Sequence, residues 1–328
     1  MTKKAKPKVA FYWCASCGGC EEAVVDLAEA VLDVVNAVDI VFWPVALDFK
    51  VDDVEAMKDG SITVSFINGA IRLSEQEEMA KLLRRKSQFV IAFGSCSHLG
   101  GIPGLANLWD KKSIFQYYYH DGPTVKGESG NEPVMRTSVP EGTLELPSFW
   151  DTVKSLDQVI KVDYYLPGCP PTPKLLANAV QALLSGNLPP PGSVLAGTRA
   201  LCHECRLNET KPEKLLLKEL KRVHETKVDP EKCLLAQGIL CMGPATRGGC
   251  EALCIGGNMP CTGCFGPTDE VDDYGAKALA FLSSIVDYND EKDIARVMEK
   301  VPDPVGVFYR YSLPRSSMKR ALGVNKHA

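Results

Sequence analysis

The sequence predicts a doubly wound, flavodoxin-like α/β fold, followed by an irregular cysteine-rich segment and a helical tail. Three observations predict this organisation. Short apolar runs alternate with segments whose apolar residues recur at helical spacing. Cysteine-bearing turns follow three of those runs directly. Eight of the 13 cysteines then lie between Cys202 and Cys264, and the part from Gly238 to Gly266 has too little apolar bulk to build its own core.

The strands of the first half are predicted from apolar runs that end at turn residues. They cover residues 8–13, 39–44, 61–67, 88–93 and 159–166. A helix is expected from Glu21 to about residue 36, with its acidic residues at the positive helix end. Ser74 and Glu77 predict a capping box for a helix that ends near residue 86. Thr172 and Pro173 predict the start of another helix, which ends near residue 186.

The Pro/Gly-rich linker at residues 187–194 separates the first half from the rest. We therefore expect a flavodoxin-like domain over residues 1–188, a cysteine-rich domain over 189–270 and a helical extension over 271–328. Residues 212–225 predict a charged helix, and further helices are expected at 273–288 and 291–300. The loop-like stretch 104–151 contains Trp109 and three consecutive tyrosines from Tyr117, and we interpret it as an interface with a partner.

Composition excludes several classes of protein. The 328 residues carry a net charge of −4, which argues against a general nucleic-acid-binding protein. No run of 18 apolar residues occurs, so no membrane span is expected. The first residues lack the apolar core of a signal peptide and a twin-arginine motif, which predicts a cytoplasmic protein. Thiols stay reduced there, so the 13 cysteines indicate metal ligands rather than disulfides.

Four of these cysteines follow three separate strands. In a doubly wound sheet the carboxyl ends of the strands meet at one edge, so the fold would gather these four thiols. They are Cys17, Cys20, Cys96 and Cys169. The eight cysteines downstream are enough for two further four-cysteine sites. Iron–sulfur clusters are favoured over zinc, because zinc sites usually bring two C-x-x-C pairs close together. A zinc-stabilised adaptor stays the alternative of a different class.

Other residues are better explained without a ligand role. Cys14 has no place in a set of four and is interpreted as a small buried hydrophobe. His203 is interpreted as a surface residue or a hydrogen-bond donor beside a thiolate, not as a ligand. The glycine-rich turn at residues 94–104 lacks both G-x-G-x-x-G and GK[ST] spacing, so a nucleotide site is not expected. No catalytic residues are predicted on this chain.

Three motifs resemble the small, electron-transferring subunit of [NiFe] hydrogenases. They are W-x3-C-x2-C-x-E from Trp13, G-S-C-x3-G-G-I around Cys96, and P-G-C-P-P around Cys169. The first half alone is also similar to the cluster subunit of respiratory complex I. The resemblance implies three [4Fe-4S] clusters, with the nickel–iron centre on a partner large subunit. The implied ligands form a proximal set (Cys17, Cys20, Cys96, Cys169), a distal set (Cys202, Cys205, Cys233, Cys241) and a medial set (Cys250, Cys254, Cys261, Cys264).

Two departures from the periplasmic uptake enzymes indicate a cytoplasmic branch of this family. Those enzymes have His where this chain has Cys202, and commonly Pro where it has Cys254. The chain looks most like the gamma or small subunit of the non-coenzyme-reducing (methyl-viologen-reducing) enzyme of methanogens. That resemblance implies partnership with the large subunit, a further small iron–sulfur subunit and heterodisulfide reductase, and a role in methanogenesis. The small subunit of a deazaflavin-coenzyme-reducing hydrogenase is the alternative, and a complex I-like cluster subunit is a weaker one.

Overall fold

Five parallel strands form the central sheet of the computed structural model, which describes residues 6–125, 132–288 and 290–320. The sheet has the order β2-β1-β3-β5-β9. When only these five strands are numbered along the chain, the order is 2-1-3-4-5, which is the strand order of flavodoxin. The predicted fold class is therefore confirmed. Expectations about residues 1–5, 126–131, 289 and 321–328 lie outside the described residues. The strands are β1 (Lys8–Trp13), β2 (Asp39–Phe42), β3 (Ile62–Asn68), β4 (Ile71–Leu73), β5 (Ser87–Phe93), β6 (Arg136–Val139), β7 (Gly142–Glu145), β8 (Phe149–Lys154) and β9 (Tyr164–Leu166).

Helices cover both faces of this sheet, as a parallel sheet requires. On one face α1, α2 and α7 pack against Phe11, Phe66 and Phe93, and on the other α3 and α4 pack against Ala10 and Ile67. The α-helices are α1 (Gly19–Val25), α2 (Ala30–Ala37), α3 (Val51–Glu55), α4 (Ser74–Lys86), α5 (Gly94–Leu99), α6 (Lys111–Gln116), α7 (Pro173–Ser185), α8 (Leu253–Gly256), α9 (Tyr274–Ile285), α10 (Glu291–Glu299) and α11 (Pro304–Phe308).

The register of the sheet places four strand ends at the same level. Trp13 pairs with Asn68, Asn68 with Phe93, and Phe93 with Leu166. Each of these residues is the last of its strand. The turns that follow β1, β5 and β9 therefore leave the sheet side by side, and these turns carry the cysteines of the proximal set.

Several predicted elements differ from those observed. The single helix expected over 21–36 is two helices, because the chain turns between them and Ala28 has a positive φ of 52°. The capping bond of α4 comes from Gln76, whose side-chain oxygen accepts from the Leu73 N–H at 3.0 Å, and not from Glu77. Thr172 caps α7 as predicted, and Gly186 ends it with φ 71°.

The helix predicted over 212–225 is wrong. These residues run in an irregular path with only a 3₁₀ turn at Val223–Glu225. The reason is tertiary pairing, since the Leu217 N–H donates to the Ile285 carbonyl at 2.7 Å and the Lys221 N–H to the Gly238 carbonyl at 2.8 Å. Leu217 and Leu220 are buried by these contacts instead of along a helical stripe.

The cysteine-rich region consists of short 3₁₀ turns and α8. The 3₁₀ turns from residue 200 onward, besides Val223–Glu225, are Leu201–His203, Asn208–Thr210, Leu235–Gln237, Gly243–Ala245, Leu313–Arg315 and Ser317–Arg320. Earlier ones are Ile102–Leu108 and Leu156–Gln158. The predicted helices near 273–288 and 291–300 are present as α9 and α10. Together with α11 they close an apolar cluster over the cysteine-rich turns.

The stretch expected as a loop at 104–151 holds α6, a π-helical turn at Tyr117–Asp121, and the β6–β7 hairpin. Its strand β8 pairs with β4 in a small antiparallel sheet. Trp109 and Tyr118 are 62% and 68% exposed, and the interface interpretation of this stretch stays a prediction.

Candidate metal centres

The proximal set comes together at the aligned strand ends. Cys17 and Cys20 follow β1, Cys96 lies on α5 after β5, and Cys169 follows β9. Cys20 and Cys96 are buried, whereas Cys17 and Cys169 are exposed. Burial raises the pKa of Cys20, and the negative charges of the thiolates of Cys96, Cys169 and Cys17 raise it further. That mutual influence requires the four thiols to be near one another.

The backbone lies directly against two of these thiols. A Cβ on Gly94 would be 2.3 Å from the Cys20 Sγ, and one on Gly101 would be 2.4 Å from the Cys96 Sγ. Both glycines have positive φ, 84° and 57°, so any side chain there would be strained as well. The Ile102 N–H donates to the Cys96 sulfur; burial nevertheless raises the pKa of that thiol to about 12.

The distal set lines one small cavity. All four of its cysteines face that space, together with Leu207, Leu235 and Ile255. The Gly243 and Cys261 N–H groups donate to the Cys241 sulfur, while burial raises the pKa of that thiol to about 11. His203 is exposed and does not line the cavity, as expected of a surface residue.

The medial set is spread around α8 and the turn that follows it. Burial, and then the charges of Cys250, Cys169 and Cys254, raise the pKa of Cys264 to about 12. Cys254 also raises the pKa of Cys250, so it stands close to both of these thiols. Burial is the largest cause that raises the pKa of Cys261. The charge of Cys241, in the distal set, raises it more than the charge of Cys264, in its own set. Cys261 therefore lies between two sets.

Two backbone N–H groups of one set lie near a sulfur of the next set. The Cys169 N–H opposes the rise in the pKa of Cys264, which links the proximal set to the medial one. The Cys261 N–H donates to the Cys241 sulfur across 3.3 Å, which links the medial set to the distal one. The proximal set thus adjoins the medial set, and the medial set adjoins the distal one; we refer to this arrangement as the row of thiols.

Cys14 lies apart from this row. It is buried in the cluster on the α3/α4 face of the sheet, and its N–H donates to the Asn68 carbonyl at 2.7 Å. Burial raises its pKa first, and the carboxylates of Glu21 and Glu75 raise it further. This environment matches the interpretation of Cys14 as a small buried hydrophobe.

Sequence reasoning missed a group of hydroxyls around the medial and distal sets. Thr246 Oγ1 lies 3.6 Å from the Cys261 sulfur and 2.8 Å from the Tyr274 hydroxyl. The Tyr311 hydroxyl lies 3.0 Å from Thr262 Oγ1, inside the Cys261-x-x-Cys264 pair. Only the position of Thr262 within the C-x-x-C motif could have indicated one of these residues, and nothing in the sequence indicated its partner.

The chemistry of these thiols fits iron–sulfur clusters. Within the described ranges, no group of three or more His, Cys, Asp or Glu side chains is arranged to hold a single metal ion. Instead, sets of thiols face common spaces, receive backbone N–H bonds at sulfur and adjoin glycines with no room for a Cβ. Thiolate ligation with N–H···S bonds is the environment in which proteins bind such clusters.

Comparisons with known proteins agree with this chemistry. The family model of the NADH ubiquinone oxidoreductase 20 kDa subunit matches residues 17–183. The chain is 41% identical over 318 residues to the iron-sulfur subunit of the F420-non-reducing hydrogenase of Archaeoglobus profundus, covering 96% of this chain and 98% of that one. It is 37% identical over 312 residues to the corresponding F420-non-reducing hydrogenase subunit of Methanothermobacter thermautotrophicus, covering 94% and 95%.

A solved structure supports the fold alone. A chain of the [NiFeSe] hydrogenase from Desulfovibrio vulgaris Hildenborough superimposes with a TM-score of 0.52 and 17% identity, covering 82% of this chain and 96% of that one. Across the residues that the structure describes, none of the helices has the length and apolar character needed to cross a membrane.

Proposed function

We propose that this chain, which belongs to the family of those F420-non-reducing hydrogenase subunits, carries electrons through three [4Fe-4S] clusters. Its residues 17–183 also belong to the family of the 20 kDa subunit of NADH ubiquinone oxidoreductase. The hydrogenase chemistry itself belongs to the assembly of which the chain is a subunit. The electrons come from dihydrogen oxidised at a nickel–iron centre on a partner large subunit. The proximal, medial and distal sets each hold one cluster.

The observation that carries this proposal is the row of thiols. One-electron transfer through bound clusters needs neighbouring sites that are close and shielded from water. Here the Cys261 N–H of the medial set donates to the Cys241 sulfur of the distal set, and the Cys169 N–H of the proximal set lies near the Cys264 sulfur of the medial set. Cys20, Cys96, Cys241 and Cys261 are buried, so they keep water away from the interior of the row.

Thiols are accessible at both ends of the row, as Cys254 also is in the medial set, and we place one partner at each end. Cys17 and Cys169 are exposed at the sheet edge, beside the partly exposed Trp13. We propose that the large subunit covers this edge. Cys202 and Cys205 are partly exposed at the other end. A further small iron–sulfur subunit and then heterodisulfide reductase are the proposed acceptors there, in the cytoplasm.

Two of the three alternative functions are disfavoured by the names of the near full-length relatives. The complex I-like function needs only the proximal set, and the near full-length relatives are named as hydrogenase subunits. The deazaflavin-reducing alternative is disfavoured because those same relatives are named F420-non-reducing. The zinc-stabilised adaptor is separated from the others by metal analysis.

Metal analysis of the anaerobically purified native complex tests the proposal. Three cubanes predict about twelve iron atoms and about twelve sulfides for each copy of this chain, after subtraction of the iron of the other subunits. Mass spectrometry of the co-purified subunits identifies the partners. Stoichiometric zinc with little sulfide would refute the proposed function.

A further inference from the structure

The segment after α11, residues 309–317, lies against two of the cysteine-bearing loops. Pro314 fills the space beside Gly100 and Gly104, where an added Cβ would meet its ring at 2.2 and 2.5 Å. The Pro314 carbonyl accepts from the Gln158 side chain at 2.9 Å. Arg315 forms an ion pair with Asp157 at 3.2 Å. The segment is therefore packed tightly against the loop that follows Cys96.

One residue of this segment contacts both loops. The Tyr311 carbonyl accepts from the Gly101 N–H at 3.0 Å, and its hydroxyl lies 3.0 Å from Thr262 Oγ1. Gly101 precedes Ile102, whose N–H donates to the Cys96 sulfur. Thr262 lies between the two cysteines of the Cys261-x-x-Cys264 pair.

Tyr311 is buried, with only 8% of its surface exposed. Burial raises the pKa of its hydroxyl first, and the charges of Cys264 and Cys169 raise it further. The ring therefore stands near one thiol of the medial set and one of the proximal set. At a neutral pH the hydroxyl keeps its proton and stays able to donate a hydrogen bond.

We propose that Tyr311 is a positioning residue for electron transfer. It joins the loop after Cys96, in the proximal set, to the turn between Cys261 and Cys264, in the medial set, through its carbonyl and its hydroxyl. The proposal rests on the proposed function. Its carbonyl holds the Gly101–Ile102 turn that delivers an N–H to Cys96, and its hydroxyl holds the turn between Cys261 and Cys264. Hydrogen bonds and burial around thiolate ligands set the potential of a cluster, so the tie affects both spacing and potential.

The test removes one hydroxyl from the intact complex. Tyr311→Phe keeps the carbonyl bond and the ring but loses the bond to Thr262. Thr262→Val removes the same bond from the other side. We expect each variant to retain the parental iron content and to shift the electron paramagnetic resonance spectrum and midpoint potential of one cluster. The double variant should add nothing further, because both changes break a single interaction.

The matched control is Tyr309→Phe. Tyr309 is also buried, at 4% exposure, and its hydroxyl bonds Asp273 rather than a residue between two cysteines. This variant is expected to leave the spectrum and potentials at parental values, and so is Thr262→Ser, which keeps a hydroxyl. A severalfold slower reduction of a viologen dye by dihydrogen should accompany Tyr311→Phe but neither control.

Two results would overturn the proposal. One is Tyr311→Phe with parental spectrum, potentials and rate. The other is an equal shift in Tyr309→Phe, which would indicate a general effect of losing a buried hydroxyl. Iron and sulfide analysis of the parental complex distinguishes these results from a failure of the proposed function. If the proposed function were wrong, the parental complex would contain no such clusters on this chain.

Discussion

The two halves of this chain place their thiols by different means. In the first half, Cys96 and Cys169 are far apart in sequence and are brought together by a sheet with apolar clusters on both faces. In the second half, most thiols lie in irregular chain between short 3₁₀ turns over residues 201–266, and Cys241 and Cys261 are themselves members of the buried cluster. The sheet half has one candidate ligand, Cys20, within its apolar clusters, whereas the cluster of the cysteine-rich half includes two buried candidate ligands.

This difference predicts unequal dependence on the clusters. Burying apolar surface stabilises the sheet by roughly 25 cal/mol for each Å² removed from water, whatever is bound at its edge. The cysteine-rich turns contain few long apolar side chains between Gly238 and Gly266. In such a segment, the free energy of metal binding becomes free energy of folding. Three experiments test this comparison.

The largest effect is expected on removal of the clusters. After oxidation and chelation of the purified complex, we expect peptides from residues 201–266 to lose protection from hydrogen exchange by at least about tenfold. Peptides from β1, β3 and β5 should keep theirs. Mass spectrometry of deuterium uptake measures both regions in one sample. Equal loss in the two halves would break the comparison, because it would mean that the sheet also depends on the clusters.

An intermediate effect is expected from Gly101→Ala in the sheet half. The added Cβ would lie 2.4 Å from the Cys96 sulfur, at a residue with φ 57°. We expect one cluster to be lost, which is about four of about twelve iron atoms, while the sheet stays folded. Iron analysis and circular dichroism make the measurement.

Gly60→Ala is the matched control, since Gly60 has φ 70° but nothing within 4 Å of its added Cβ. A side chain there is also strained by the positive φ, but it meets no thiol. Parental iron is expected in this variant. If both variants lose iron equally, strain in the loops, and not contact with the sulfur, decides cluster retention.

The smallest effect is expected from Cys254→Ser. Cys254 is exposed and raises the pKa of both Cys250 and Cys264, which supports it as the fourth ligand of the medial set. A cubane without one protein thiolate readily loses that iron, so about one iron of about twelve should go and a [3Fe-4S] signal should appear on oxidation. Electron paramagnetic resonance detects it.

Cys14→Ser provides the contrast within the sheet half. Cys14 is buried against the α3/α4 face, so the serine hydroxyl is expected to cost about 1–3 kcal/mol of stability and no iron. A Cys254→Ser variant with full iron content and no new signal would remove Cys254 from the medial set. A [3Fe-4S] signal in Cys14→Ser would show that Cys14 is a cluster ligand, contrary to the role given to it here as a buried apolar residue.

Much of the fold, and the convergence of four cysteines at one edge of the sheet, could be predicted because the signals for the strands and turns are local. Apolar runs bounded by Gly, Pro and Cys located the five strands of the central sheet, although the run at 159–166 is a strand only over Tyr164–Leu166. Parallel strands then align their carboxyl ends. Thr172 and Pro173 located α7 because a cap and a first-turn proline act within one helical turn. The same local rules predicted a capping box of Ser74 and Glu77 at the start of α4. The capping hydrogen bond there is instead accepted by the side chain of Gln76 from the Leu73 N–H.

The failures come from contacts between distant residues. Leu215, Leu216 and Leu220 suggested a helical stripe, but pairing of Leu217 with residues 285–287 decides the backbone there. Tertiary contacts routinely outweigh helix propensity, which differs by less than about 1 kcal/mol between most residues. The Tyr311–Thr262 contact spans 49 residues and leaves no periodic trace in either segment.

The position of Tyr311 in the chain also bears on how the protein is made. Every cysteine precedes residue 265, so all candidate ligands leave the ribosome before the segment that ties their loops together. During synthesis the Cys96 and Cys261 turns are therefore free of that tie until residues 309–317 have also been made.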